Sequence, residues 1–224
     1  MEKTRSAMAR LLPLLIFASA VACYLAQEDL GLPRDAAFLF KPLTTILIIV
    51  LAWPRGRATP IVRRWVLAGL VFSLLGDVAL LWPQGFIAGL LAFLAAHLAY
   101  LWAFTRVRRL AAWPWSFVAY GLVALAVLSY LWPGIPVPLR VPVAAYVVFL
   151  SAMAAQAGAI GKLDGAWKLA LGGALFFASD GCLALNKFAG PVPAASLAVL
   201  PTYWAAQYCI AAWLQPAEGR ATSP

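Results

Sequence analysis

Apolar runs of about membrane-spanning length fill most of this sequence and limit the folds that are open to it. A helix needs about 20 apolar residues to cross the hydrocarbon core of a bilayer. Eight such runs follow one another, separated by short basic or Pro/Gly-rich breaks. Of the 224 residues, 64% are hydrophobic and 11% are charged, whereas soluble domains carry about 25% charged residues. The sequence therefore predicts an all-α membrane protein.

Proline and glycine in the breaks set the limits of the predicted helices. The predicted spans are 9–25, 36–53, 63–82, 85–104, 113–132, 139–158, 168–186 and 195–214. We expect the first run to be a retained helix, because it lacks the small-residue cleavage site of a signal peptide followed by a soluble domain. Residues 1–224 are thus predicted to form a single eight-helix transmembrane domain, with a short polar tail at 215–224.

The basic residues fall mainly on one side of this predicted topology. Thirteen of the 17 lysines and arginines precede the first helix, lie in the breaks after helices two, four and six, or lie in the tail. Short cytoplasmic loops carry the excess of Lys and Arg, so both termini are predicted to be cytoplasmic. Topology also accounts for the net charge of +9, and we expect no nucleic-acid partner.

A faint internal repeat relates the two halves of the chain. The segment 69–77 resembles the segment 172–180, and each ends in an aspartate. Tyr100 and Tyr203 each follow their aspartate by 23 residues. This pattern favours a four-plus-four helix duplication, and chance similarity between apolar helices is the alternative.

Three charged side chains are predicted at one depth inside the membrane. Asp77 on helix three and Asp180 on helix seven are expected about 8–9 Å below the outer helix ends. Lys41 enters helix two from the same side. An ionised side chain in a bilayer costs several kcal/mol unless it is paired or hydrated. The three residues therefore predict a shared polar pocket, and the alternative is a purely structural ion-pair cluster.

Several kinds of catalytic site are absent from the sequence. With His97 as its one histidine, the chain cannot build a three-histidine zinc site. There is no Gly-x-Ser-x-Gly motif and no phosphate-binding glycine loop. The odd number of cysteines, without paired spacing, predicts neither a disulfide framework nor a zinc motif. These cysteines are Cys23, Cys182 and Cys209. We expect no metal and no cofactor.

Two carboxyls in one pocket offer a different chemistry. Like charges brought close cannot both ionise easily, so one carboxyl keeps its proton and the other stays ionised. Such a pair, here Asp77 and Asp180, can serve as general acid and general base. This arrangement suits acid-labile bonds that cleave through an oxocarbenium-like state.

The ordered motifs of the chain resemble a known family. They are Lys41-Pro42-Leu43, Gly76-Asp77-Val78-Ala79-Leu80, the stretch from Phe86 to Phe93 leading to Ala96-His97-Leu98-Ala99-Tyr100, and Ser179-Asp180-Gly181-Cys182-Leu183-Ala184 with Lys187-Phe188. In this order and spacing they look like the YhhN/TMEM86 family of eight-helix membrane proteins, over nearly the whole chain. Characterised members of that family are lysoplasmalogenases, which hydrolyse the vinyl ether of lysoplasmalogens to a fatty aldehyde and a glycerophospho-base.

The resemblance implies a lysophospholipid substrate and no metal or nucleotide. The composition, rich in Ala, Arg and Trp, favours a bacterial origin, and the inner membrane is then the expected location. Asp77 and Asp180 would be the acid/base pair, in an order that stays open. The other candidate residues would bind the substrate or tune the protonation of the carboxyls. Of these, Lys41 would tune the carboxyls or contact the lipid phosphate, and His97 and Tyr100 would orient substrate or water. The remaining candidates are Tyr203, Asn186 and Lys187.

Two other functions stay open at this point. Paired intramembrane carboxylates also act as proton relays, so a small proton-coupled transporter is one alternative. A non-catalytic lipid-binding protein, in which the charges only hold helices together, is the other. Against a transporter, few Pro or Gly residues break the predicted helices in the middle of the membrane.

Overall fold

Helices are the regular secondary structure of this chain in a computed structural model, which describes residues 2–190 and 195–215 and has no strands within them. Its eight α-helices are α1 (Glu2–Gln27), α2 (Ala36–Ala52), α3 (Pro60–Ala79), α4 (Phe86–Thr105), α5 (Pro114–Leu131), α6 (Arg140–Asp164), α7 (Trp167–Phe188) and α8 (Ala195–Trp213). Short 3-10 helices precede α4 and connect α5 to α6. The predicted polar tail beyond residue 215 lies outside the described residues.

Four of these helical segments are long and apolar enough to cross a membrane. They are Pro83–Thr105, Pro114–Gly134, Val137–Asp164 and Trp167–Phe188. Two shorter apolar helices, Leu11–Gln27 and Ala36–Ala52, accompany them. The all-α prediction is therefore confirmed for the described residues.

Two helix limits differ from the predicted ones, the C-terminus of α6 and the N-terminus of α3. α6 continues to Asp164, six residues beyond its predicted end, and stops at Gly165, whose φ of 69° is the left-handed conformation typical of a helix C-terminus. Gly161 lies inside this extension because α7 approaches closely there: a Cβ at Gly161 would lie 2.4 Å from the Cβ of Ala170. α3 begins earlier than predicted, with Pro60 in its first turn, a position that proline favours.

Six helices pack in a closed order around the interior. α2, α3, α4, α6, α7 and α8 each contact the next, and α8 packs back against α2. α1 packs on α2 with a smaller contact to α8, while α5 packs mainly on α6. Most of the buried core residues are aliphatic, and several aromatic rings lie among them beside the polar side chains considered below.

An aromatic layer fills the middle of the bundle. The Phe176 ring makes edge contacts with Phe93, His97 and Tyr203 at centroid distances of 6.5, 4.7 and 5.5 Å. Phe93 also contacts Tyr203 at 5.6 Å. Edge-to-face ring pairs at these distances are favourable, so the layer ties α4, α7 and α8 together.

Close packing of α3 on α4 gives a test of the fold. A Cβ at Gly69 would lie 2.4 Å from a ring carbon of the fully buried Tyr100. We expect Gly69→Ala to lower the free energy of unfolding by about 1–3 kcal/mol, the usual cost of overpacking a core. The measurement is equilibrium unfolding in detergent micelles. Gly121→Ala on α5 is the matched control, because no atom lies within 4 Å of its added Cβ. Equal stability of the two variants would contradict the packing.

Candidate active site

Asp77 lies in the last turn of α3 and is almost fully buried, with 1% of its surface exposed. Its Oδ2 accepts a hydrogen bond from the Thr45 hydroxyl of α2 at 2.5 Å and one from the Tyr203 hydroxyl of α8 at 2.8 Å. Hydrogen bonds to a carboxylate are roughly twice as strong as those between neutral groups. Asp77 therefore joins three helices.

Lys41 lies on α2 one helical turn before Thr45, on the same face of the helix. It is buried and lies within electrostatic range of Asp77. No salt bridge joins the two side chains in the part of the chain that the structure describes. The expected neighbourhood of Lys41 and Asp77 is thus present, without direct contact between their charged atoms.

Asp180 lies in the middle of α7 and receives a second pair of donors. The Tyr146 hydroxyl of α6 donates to Asp180 Oδ2 at 2.5 Å. Nε2 of His97, on α4, lies 3.1 Å from the same oxygen and 3.0 Å from the Tyr146 hydroxyl. The three polar groups therefore form a closed triangle within the bundle.

The surroundings of His97 indicate where the imidazole carries its proton. Nδ1 of His97 is buried and has no hydrogen-bond partner among the described protein atoms. A proton on Nε2 leaves only an acceptor unpaired at Nδ1, whereas a proton on Nδ1 would bury an unpaired N–H donor. Nε2–H of His97 therefore donates to Asp180 Oδ2. Both donors meet at this oxygen, so Oδ1 is the atom of Asp180 that can carry a proton.

The structure keeps the two carboxyls in separate hydrogen-bonded groups. No hydrogen bond or salt bridge joins Asp77 to Asp180 within residues 2–190. The Tyr203 ring, whose hydroxyl donates to Asp77, packs on the same Phe176 ring as His97 does. The groups thus meet across the aromatic layer, and the aspartates do not contact each other directly within the described residues.

The hydrogen-bonded group around Asp180 opens to a cavity. An apolar groove with a cavity volume of about 90 Å³ runs between α4, α5, α6 and α7 and is partly open at its mouth. Asp180 and Tyr146 line it beside apolar residues such as Leu128, Leu150 and Phe177. Asp180 is 9% exposed, and Asp77 does not line this groove. The carboxyl on α7 is therefore the one that a molecule in the groove would meet.

The remaining candidate residues occupy different places. Tyr100 is fully buried and its hydroxyl donates to Gln207 Oε1 at 2.6 Å. It makes no hydrogen bond to either aspartate in the described chain. Asn186 is half-buried in the last turn of α7, and Lys187 beside it is exposed. Lys187 lines the groove, whereas Tyr100 and Asn186 do not.

Two donors at the aspartates were not among the predicted site residues. Thr45 has a signal in the sequence, since it follows Lys41 by four residues and so shares its helix face. Tyr146 has no comparable signal, because nothing near it in the sequence relates it to Asp180 on another helix.

The two groups are built alike. Asp77 on α3 takes donors from α2 and α8, and Asp180 on α7 takes donors from α6 and α4. If α1–α4 correspond to α5–α8, each aspartate sits on the third helix of its half. Each is then held by the second helix of the same half and the fourth helix of the other half.

Comparison with known proteins identifies the family. The model of the YhhN family matches residues 36–214. The chain belongs to the YhhN family. Lysoplasmalogenase TMEM86B of Homo sapiens is 35% identical over 197 residues, which are 81% of this chain and 78% of that protein. Lysoplasmalogenase of Mycobacterium tuberculosis is 34% identical over 184 residues, covering 77% and 68% of the two chains. No solved structure matches the chain significantly.

Membership of the YhhN family confirms the resemblance drawn from the ordered motifs of the sequence. Together with the apolar helices, it makes this chain an integral membrane protein.

The hydrogen bond between Thr45 and Asp77 can be tested apart from any activity. Thr45→Val removes the hydroxyl and preserves the shape, leaving a buried carboxylate with one donor fewer. We expect the free energy of unfolding to fall by about 1–3 kcal/mol. Thr105→Val is the control, because the exposed Thr105 hydroxyl donates only to a carbonyl near the end of α4. Unfolding is followed in micelles. A Thr45→Val variant as stable as this control would show that the hydrogen bond contributes little.

Proposed function

We propose that this protein is a membrane-embedded hydrolase that cleaves the vinyl ether bond of lysoplasmalogens. The observation that carries the proposal is the Asp180 carboxyl, which opens to an apolar groove and receives two donors on one oxygen. The relatives named lysoplasmalogenase support the choice of substrate. The products are a fatty aldehyde and a glycerophospho-base.

The first step is transfer of a proton to carbon. A neutral Asp180 avoids the cost of an unpaired charge in the membrane, and its Oδ1–H gives the proton to the alkenyl carbon farther from the ether oxygen. The π electrons of the double bond form the new C–H bond, and the positive charge is shared with the ether oxygen as an oxocarbenium ion. Hydrogen bonds from Tyr146 and His97 stabilise the carboxylate that remains.

Water completes the reaction. Its oxygen bonds to the carbon next to the ether oxygen while the Asp180 carboxylate takes one of its protons, which gives a hemiacetal. The bond from this carbon to the glycerol oxygen then breaks. Asp180 returns a proton to the glycerol oxygen and accepts the proton of the hemiacetal hydroxyl as the aldehyde forms. The carboxyl ends protonated, as it began.

Asp77 is the second carboxyl of the proposed acid/base pair, and we assign it a positioning role. Its hydrogen bond orients Tyr203, which packs on Phe176 and lies within electrostatic range of Tyr146. Through these contacts the charge of Asp77 and Lys41 contributes to the electrostatic field around Tyr146, which is a hydrogen-bond donor to Asp180. This division replaces the predicted pair of acids in one pocket with one substrate-facing acid and one electrostatic partner.

We also propose the finer membrane architecture. All eight helices cross the bilayer in one domain, with both termini in the cytoplasm of a bacterium and the chain in its inner membrane. The charge bias of thirteen basic residues against four supports this orientation. A four-plus-four duplication is supported by the matching surroundings of Asp77 and Asp180.

Asp180→Asn tests the proposed acid directly. An asparagine keeps an acceptor for Tyr146 and His97 but has no acidic proton, so aldehyde release should fall by at least about 100-fold, the lower range for loss of a general acid. The measurement is long-chain aldehyde released from lysoplasmalogen by the purified protein. Asp29→Asn is the control, because Asp29 is an exposed turn residue whose φ of 59° suits asparagine. Activity of the folded Asp180→Asn protein at the level of this control would remove the mechanism.

Asp77→Asn separates the positioning role from a structural one. The amide oxygen still accepts from Thr45 and Tyr203, but the charge is lost. We expect kcat to fall by at least about tenfold, with KM for lysoplasmalogen nearly unchanged, because the affected interaction is made in the transition state. Separate determination of kcat and KM provides the measurement. A folded variant with unchanged kcat would reduce Asp77 to a structural residue.

A further inference from the structure

One cation lies at the outer end of the groove and takes no part in the chemistry above. Lys187 lines the groove from the last turn of α7, together with Phe86 and Phe188, which stand at the ends of α4 and α7. Its ammonium lies 4.6 Å from the centre of the Phe86 ring. A cation over an aromatic face is held by the ring quadrupole. The charge is thus positioned at the groove and remains accessible.

The spacing of Lys187 and Asp180 matches a glycerophospholipid. The two residues are seven apart on α7, so they share a face and are separated by about 10.5 Å along the helix axis. A lysophospholipid has three glycerol carbons between its ether oxygen and its phosphate ester oxygen. With the ether bond at Asp180, this glycerol unit and the flexible lysine side chain bridge the two helical turns.

The other cations on the outer side interact with groups outside the groove or do not line it. Arg34 forms an exposed salt bridge in the turn between α1 and α2. Arg140 donates to a backbone carbonyl and lies over the Trp132 ring. Lys41 is buried beside Asp77 and does not line the groove. Among the described residues this leaves the lysine at the end of α7 as the cation of the groove.

We propose that Lys187 is the phosphate-binding residue, and that it makes the groove specific for a single-chain ether lipid bearing an sn-3 phosphate. Lysine binds phosphate as a point charge, so choline and ethanolamine lysolipids are held alike. The phosphate sits at Lys187 and the ether linkage at Asp180. The hydrocarbon chain lies against Leu128, Leu150 and Phe177 before it continues into the bilayer. This assignment rests on the proposed function.

Binding of ligands that cannot react tests the assignment without turnover. The probes are 1-O-alkylglycerophosphocholine, which has a saturated ether, and 1-O-alkylglycerol with the same chain and no phosphate. Native mass spectrometry of the full protein in detergent gives both affinities. The wild type should prefer the phosphate-bearing ligand. Lys187→Met should lower the affinity for that ligand about tenfold, which corresponds to about 1.4 kcal/mol. The affinity for the alkylglycerol should not change.

Two further variants control for charge and fold. Lys187→Arg keeps the charge and should retain most of the affinity for the phosphate-bearing ligand. Lys168→Met is the matched control at the opposite end of α7, since Lys168 also lies beside an aromatic ring, 5.6 Å from the centre of Trp167, but does not line the groove. It should bind both ligands as the wild type does. Inorganic phosphate at millimolar concentration should displace neither ligand.

The possible outcomes separate this proposal from the proposed function. Equal weakening of both ligands in Lys187→Met, or no weakening of either, overturns the phosphate site. So does displacement by inorganic phosphate, which would indicate a site for free anions. The predicted binding pattern without aldehyde release from lysoplasmalogen would support the phosphate site and contradict the hydrolase. Aldehyde release from lysoplasmalogen, together with unchanged ligand binding in Lys187→Met, would support the hydrolase and contradict the phosphate site.

Discussion

Burying two carboxyls in a membrane protein is the constraint on which the rest of the site depends. A carboxylate in hydrocarbon needs hydrogen-bond donors or a proton, and here each aspartate obtains two donors from two other helices. The helices that supply these donors must pack closely. Small residues such as Gly69 and Gly161 permit that approach, so the polar groups and the packing of the bundle depend on each other.

The same constraint gives the two aspartates different surroundings and different proposed roles. Asp77 is almost fully enclosed, with 1% exposure, and accepts hydrogen bonds from Thr45 and Tyr203. Asp180 has the same number of donors but faces an apolar groove. A protonated carboxyl that meets an apolar ligand is suited to protonate carbon, and an enclosed carboxyl is suited to set the local electrostatic field.

The sequence predicted the helices and the family well, because apolar run length and ordered motifs are local properties of the chain. It also named Asp77, Asp180 and His97 as candidate site residues. It did not predict their grouping. Helical rise gives the depth of a side chain but not the direction in which its helix face turns, so residues at one depth were expected in one pocket. The contact of His97 with Asp180 joins residues 83 apart, and the packing of both α4 and α7 against α6 brings them together.

Deuterium labelling is the most direct test of proton transfer from a carboxyl to the alkenyl carbon. The purified protein is incubated with lysoplasmalogen in D₂O, and the released aldehyde is examined by mass spectrometry. We expect one solvent-derived deuterium on the carbon next to the aldehyde group in each product molecule. An aldehyde of the same chain length without that deuterium would contradict proton transfer to carbon, and so would the absence of aldehyde.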